Sequence, residues 1–153
     1  MNGDPPTRGL MDAVMELTRL SRSFADSEIF QLNRVQYALL SHISRREGTT
    51  LTAIAEELGY DLSVLSRQTA ALIDQGLVVR TRDPRDARAW QVSLTELGHT
   101  RLEHAQATRM ALVDRALAPY SDQDRDTTTQ VLRSLNAALG EVLTRRGIAL
   151  AGA

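Results

Sequence analysis

Cysteine is absent from the 153-residue chain. That removes disulfides, thiolate metal sites and cysteine nucleophiles together, and it fits a reducing compartment, so a cytoplasmic location is expected. Lysine is absent as well: all 18 basic residues are arginines. A GC-rich genome produces the same bias, so the positions of the arginines carry more than their number. Each arginine does bring a planar fork of donors suited to phosphate and guanine. No apolar run approaches the roughly 20 residues needed to cross a bilayer. The first nine residues, with Pro5 and Pro6, lack the apolar stretch of a signal peptide and read as a disordered tail. Charge of one sign is also lacking. The formal net charge is −1, which argues against a domain that binds nucleic acid by bulk charge alone. The length suits one domain, able to bury roughly 70% of its unfolded surface without staples.

Apolar spacing then sets out the chain. Leu10, Val14, Leu17, Leu20 and Phe24 fall on one face of a first helix. A second helix is expected from about Arg34 to Arg46, with Val35, Leu39, Leu40 and Ile43 inward and Gly48 ending it. Thr50 or Thr52 can cap a short third helix, Ala53 to Leu58, closed by Gly59. A fourth runs from about Leu62 to Asp74. Two strand-like segments, Leu77–Arg82 and Trp90–Leu94, flank a polar loop at 83–89. Thr95 can cap a long fifth helix reaching about Ala118, with Leu102, Ala105, Leu112, Val113 and Ala116 on one face before Pro119. Ser121 or Asp122 caps a sixth, striped by Val131, Leu135, Ala138, Leu139 and Val142 and ended by Gly147, with a flexible tail at 147–153. No internal repeat or low-complexity segment interrupts this order.

Ala55, Gly59 and Leu65 stand at relative positions one, five and eleven. A helix-turn-helix needs a small residue where its helices touch, a turn residue tolerant of positive φ, and an apolar residue on the buried face of the second helix. Ile54, Leu58, Val64 and Leu72 complete that core. The opposite face carries Ser63, Ser66, Arg67 and either Thr69 or Ala70. Short hydrogen-bonding side chains with one arginine suit entry into a major groove about 12 Å wide. The plain alternative is an αα-corner with a solvated polar face.

The hairpin that follows argues against that alternative. A tight hairpin closes with two to five residues. This one spends seven, among them Arg85, Asp86 and Arg88. Arginines at such a tip can enter a narrow minor groove, while Asp83 or Asp86 can accept hydrogen bonds and hold the loop in shape. Arg80 and Arg82, on the entering strand, would lie near the DNA backbone.

Taken together, Thr50–Gly98 resembles the core of the MarR (multiple antibiotic resistance regulator) family: LTAIAEELG, then SVLSRQTAALIDQGLVVR, the wing DPRDAR, and a second strand leading into LTELG. The flanking helices fit in number and length, so the likeness covers roughly residues 10–146, read as a single domain. The resemblance implies a mainly α fold with a small β-hairpin wing: a winged helix-turn-helix at about 34–94 and a helical dimerisation region at about 10–28 and 95–146. It implies a triangular homodimer that regulates transcription, a repressor released by a small molecule, on a pseudo-palindromic double-stranded operator. By position, Ser63, Ser66, Arg67 and Gln68 fall on the recognition helix. Asp86 falls on the wing's bracing aspartate and Arg88 on its groove-entering arginine, a role Arg85 can share. Gln68 departs from the pattern, standing where an apolar residue is common, and reads either as a base reader or as a helix-packing residue. Oxidant sensing through cysteine, found in some members, is closed to this chain.

Two rivals compete with this reading. An enzyme or metal site would have to use Glu96, His99 and Glu103, which share one face of the fifth helix. His104 lies a step off that face, and a solvated polar stripe explains the group more simply, so no cofactor or metal is expected. No phosphate-binding glycine loop or serine elbow is present. The other rival is a winged helix used for protein contact. For the effector the resemblance implies, Tyr37, His42 and Trp90 are the residue types that could line a pocket between the dimerisation and DNA-binding regions, although ordinary core accounts for each.

Overall fold

The computed structural model describes residues 6–83 and 90–146. Six α-helices and a three-stranded antiparallel sheet follow one another as α1 Pro6–Ala25, α2 Arg34–Arg45, β1 Thr49–Thr50, α3 Leu51–Leu58, α4 Leu62–Asp74, β2 Val78–Arg82, β3 Trp90–Leu94, α5 Glu96–Leu117 and α6 Asp122–Arg145.

Most helix starts are fixed by side-chain caps. The hydroxyl oxygen of Thr50 accepts from the Ala53 amide, and that of Thr95 accepts from the Gly98 amide at 2.9 Å. Asn33 and Gln36 form a reciprocal capping box at α2, as do Ser121 and Asp124 at α6. Gly59 ends α3 in the left-handed region at φ 65°, which opens the turn into α4.

The core lies where α2, α3, α4, the sheet and the first half of α5 meet. Leu39, Leu40, Ile43, Ile54, Leu65, Leu72 and Val92 are fully enclosed there, with Ala55 at the α3–α4 contact. Sheet order is β1-β3-β2, and β2 pairs with β3 from Val78 opposite Leu94 to Arg82 opposite Trp90. Residues directly opposite in an antiparallel pair share a face. The inner face therefore begins with Val78, Val92 and Leu94 against the core, then continues outward as Arg80, Arg82 and Trp90.

Several details differ from the sequence expectation. The helix α1 starts at Pro6, inside the stretch read as a tail; proline suits a first helical turn because its missing N–H would find no partner there. It ends at Ala25, and a 3-10 turn, Glu28–Phe30, follows in place of continued helix. The edge strand β1, with Thr49 opposite Val92, has no counterpart in the sequence reading. On α5, Leu102 and Ala105 are buried, but Val113 and Ala116 are exposed. The helix α6 buries no residue, and α1 buries none of those described.

Candidate nucleic-acid interface

The exposed face of α4 follows from its packing. Leu65, Thr69 and Leu72 point into the core, which turns Ser63, Ser66, Arg67 and Ala70 outward at spacings of three and four. Spacing alone allows either Thr69 or Ala70 on that face. Thr69 is buried at 3% exposure, so Ala70 completes it.

Gln68 lies beside that face, half-buried. Its Oε1 accepts from Asn33 Nδ2 at 3.0 Å, while Asn33 Oδ1 accepts from the Gln36 amide at 2.9 Å. One asparagine thus caps α2 and holds α4. That bond is a packing contact between α2 and α4 made through the Gln68 carbonyl oxygen.

Arg80 and Arg82 sit where the inner sheet face leaves the core, and both guanidinium carbons lie over the Trp90 indole, 4.7 and 4.3 Å from a ring centroid. Across from them stands α4. Ser66, Thr69, Ala70 and Ile73 of α4 line a cleft of about 530 Å³ together with the start of α3 and with Arg80 and Trp90. At the strand end, Gln91 Nε2 donates to Asp83 Oδ2 at 2.6 Å from the opposite sheet face, so Asp83 braces the hairpin. The wing residues Arg85, Asp86 and Arg88 lie outside the described residues.

The effector candidates separate. Tyr37 packs against α5, where the Arg109 guanidinium carbon lies 4.0 Å from its ring centroid and 4.2 Å from that of Phe30. Arg109 Nη2 donates to the Ala25 carbonyl at 3.2 Å. Burial lowers the pKa of Arg109 from its ordinary value, opposed by Tyr37 and Asp26. Sequence reasoning missed Arg109: it stands in a helix rich in charged residues, and only the fold brings the rings of Phe24, Phe30 and Tyr37 around it. His42 is buried instead against α3, its Nε2 3.7 Å from Glu57 Oε2, and Glu57 also pairs with Arg46. Trp90 belongs to the wing strands and is not a core residue. Among the described residues, no group of three or more His, Asp or Glu is placed to hold a metal ion.

A compact helix-turn-helix followed by a β-hairpin, flanked by long helices, defines a winged helix-turn-helix regulator. The model of the MarR family matches residues 30–89. The uncharacterized HTH-type transcriptional regulator YxaD of Bacillus subtilis is 32% identical over 107 residues, 70% of this chain and 75% of that protein. The chain belongs to the MarR family of transcriptional regulators, which are DNA-binding proteins and not enzymes. The fold agrees with the crystal structure of the MarR family transcription regulator SP03579, with a TM-score of 0.80 at 21% identity, over 90% of this chain and 95% of that one. It agrees also with the PcaV regulator of Streptomyces coelicolor in complex with its natural ligand, with a TM-score of 0.63 at 21% identity, over 91% of this chain and 99% of that one. No described helix is long and apolar enough to cross a membrane.

Proposed function

We propose that the protein is a sequence-specific double-stranded DNA-binding regulator that acts in the cytoplasm as a homodimer on a pseudo-palindromic operator. The observation that carries this reading is the outward face of α4. Ser63, Ser66 and Arg67 are exposed together on a helix whose other face is locked in the core, with Arg80 and Arg82 held beside it. In this reading α4 enters the major groove and Arg67 reads a base edge. Arg80 and Arg82 meet the flanking backbone, and the wing brings Arg88, with Arg85, into the minor groove while Asp86 braces them. The largely exposed apolar stripes of α1 and α6 favour the homodimer, whose two recognition helices would stand about one DNA turn apart, roughly 34–36 Å.

Repression relieved by a small molecule is the regulatory form we infer. The cleft of about 470 Å³ lined by Tyr37, Gln106, Arg109, Met110 and Val113 supports it, because a guanidinium among aromatic and apolar groups suits a small aromatic anion. DNase protection of the DNA flanking its own gene tests the reading. Two protected half-sites one turn apart are expected. Absence of protection, together with no salt-dependent binding to random duplex, would favour a winged helix that contacts protein instead.

A further inference from the structure

The tryptophan on the wing has no part in the reading above, yet its placement is unusual. It is the chain's single tryptophan, and it remains 37% exposed at a strand end. Strand register sets Arg82 directly opposite it, and Arg80, two residues back on the same strand, shares its face. Both guanidinium groups lie over the indole. Two guanidinium groups are thereby gathered on one small aromatic surface. Arg80 forms no ion pair among the described residues. The cleft that Arg80 and Trp90 border is closed on its far side by Ser66 and Ala70 of α4. A duplex that takes α4 into its major groove brings one edge of that groove, the sugar–phosphate backbone, over this position.

We propose that Trp90 is a positioning residue for phosphate recognition: it holds Arg80 and Arg82 in extended conformations at the rim of the α4 cleft, so that their N–H edges can meet the DNA backbone. The inference rests on the DNA-contact reading of those two arginines given above. Arginine side chains are rotamer-rich, and ordering them is a recurrent cost of binding. Stacking on the indole meets that cost in the free protein. A guanidinium stacked on a ring rests on its face, and its edges, which carry the donors, point away from the ring. Trp90 contributes no charge of its own, so its loss should weaken binding without changing how many phosphates are neutralised. That separates a positioning role from direct recognition.

The test is fluorescence anisotropy of a labelled mixed-sequence duplex titrated at several salt concentrations with wild type, Trp90→Ala, Trp90→Phe, the Arg80→Ala/Arg82→Ala pair, and the pair combined with Trp90→Ala. Trp90→Ala should bind about tenfold more weakly at each salt concentration, with the salt slope kept, and Trp90→Phe should recover most of the loss. The arginine pair should bind more weakly with a slope shallower by roughly two or more, and adding Trp90→Ala to it should change nothing further. Wild-type binding by the arginine pair overturns the DNA-contact reading, and the positioning role with it. Loss by the arginine pair but none by Trp90→Ala overturns the positioning role alone. An equal loss on adding Trp90→Ala to the arginine pair does the same, since the tryptophan would then be acting on something other than those two side chains. If Trp90→Ala does not fold, the wild-type chain still decides, because its emission on selective tryptophan excitation comes from Trp90 alone. The duplex should shift that emission over the same concentration range as the anisotropy change, and an unchanged emission at saturation overturns the proposal.

Discussion

The side-chain amide of Asn33 donates to Gln68 Oε1 at 3.0 Å, so the residue that caps α2 also holds α4. A glutamine whose Oε1 is held in that bond has less freedom to turn its amide toward a base. Gln68→Ala should lower stability by about 0.5–1.5 kcal/mol, the usual net worth of such a hydrogen bond, and leave base preference unchanged. Thermal unfolding and a selection of bound sequences from a random pool measure the two halves. A changed consensus at one position per half-site would return Gln68 to the base readers.

That bond joins residues 35 positions apart, and no local pattern announces it. What was legible in the sequence was local: the Thr95 cap, the Gly59 turn and the bounds of α4 all follow from signals within a few residues, whereas the choice of Thr50 over Thr52 as the cap, and the start of α3 at Leu51 instead of Ala53, came from the structure. The strand β1 escaped because two residues carry no periodicity and their partner, β3, lies some 40 positions on. The Arg82–Trp90 pairing could have been found. A hairpin closed around residues 83–89 sets those two opposite each other, and the alternation of faces then adds Arg80. Thr69 and Ala70 could not be separated by spacing alone, because one step of about 100° decides which meets the core.

Gly98 marks the closest approach between α5 and the segment leaving α4, since a Cβ there would collide with the carbonyl oxygen of Leu77. That same carbonyl accepts from the Thr95 amide at 3.1 Å, and Thr95 Oγ1 donates to the Gly76 carbonyl at 2.7 Å. Alanine would normally gain about 1 kcal/mol over glycine inside a helix. Here the obstacle is backbone, which cannot rotate aside, and overpacking of this kind costs about 1–3 kcal/mol. Gly98→Ala should therefore be net destabilising, lowering Tm by several degrees. A Tm at or above that of the wild type would show that α5 can move away freely.

Arg67 is the long, exposed donor on the outward face of α4, beside Ser63 and Ser66, whose reach is short. Arg67→Ala should cost on the order of 1–3 kcal/mol on the operator and flatten base preference at one position per half-site. Competition between operator and random duplex separates this from a phosphate contact, whose loss would weaken both equally. An unchanged affinity for the operator would remove Arg67 from the readout.

For the wing, Arg88→Ala should weaken binding and make its salt dependence shallower, by roughly one unit for every phosphate that the arginine neutralises in each subunit. An arginine that enters the minor groove without neutralising a phosphate would, on removal, lower affinity with the slope nearly intact. Titration at several salt concentrations distinguishes the two, and unchanged affinity in all of them would place the wing outside the interface.

The terminal helices make the strongest case for a second copy of the chain. Val131, Leu139 and Val142 of α6 are 58%, 43% and 51% exposed, and Leu10, Leu17 and Leu20 of α1 are similarly open. Among the described residues α1 and α6 border a cleft, where Val14 and Leu17 line it with Leu132, Leu135 and Leu139. Contiguous exposed apolar stripes of this kind mark interaction surfaces. A two-fold partner offering the same stripes would cover it with a self-complementary interface, and such obligate interfaces commonly bury more than about 2,000 Å² in total. Leu135→Asp places a charge in the cleft that organises both helices, far from α4 and the wing. The expected outcome is a chain that dissociates or aggregates and loses operator binding, although every residue proposed to face DNA is intact. Light scattering at low micromolar concentration reads the mass, and anisotropy on the operator reads the binding. A folded wild-type monomer that binds a full palindrome tightly would defeat the dimer model. A Leu135→Asp dimer that binds as the wild type does would show that the interface lies elsewhere on the helices.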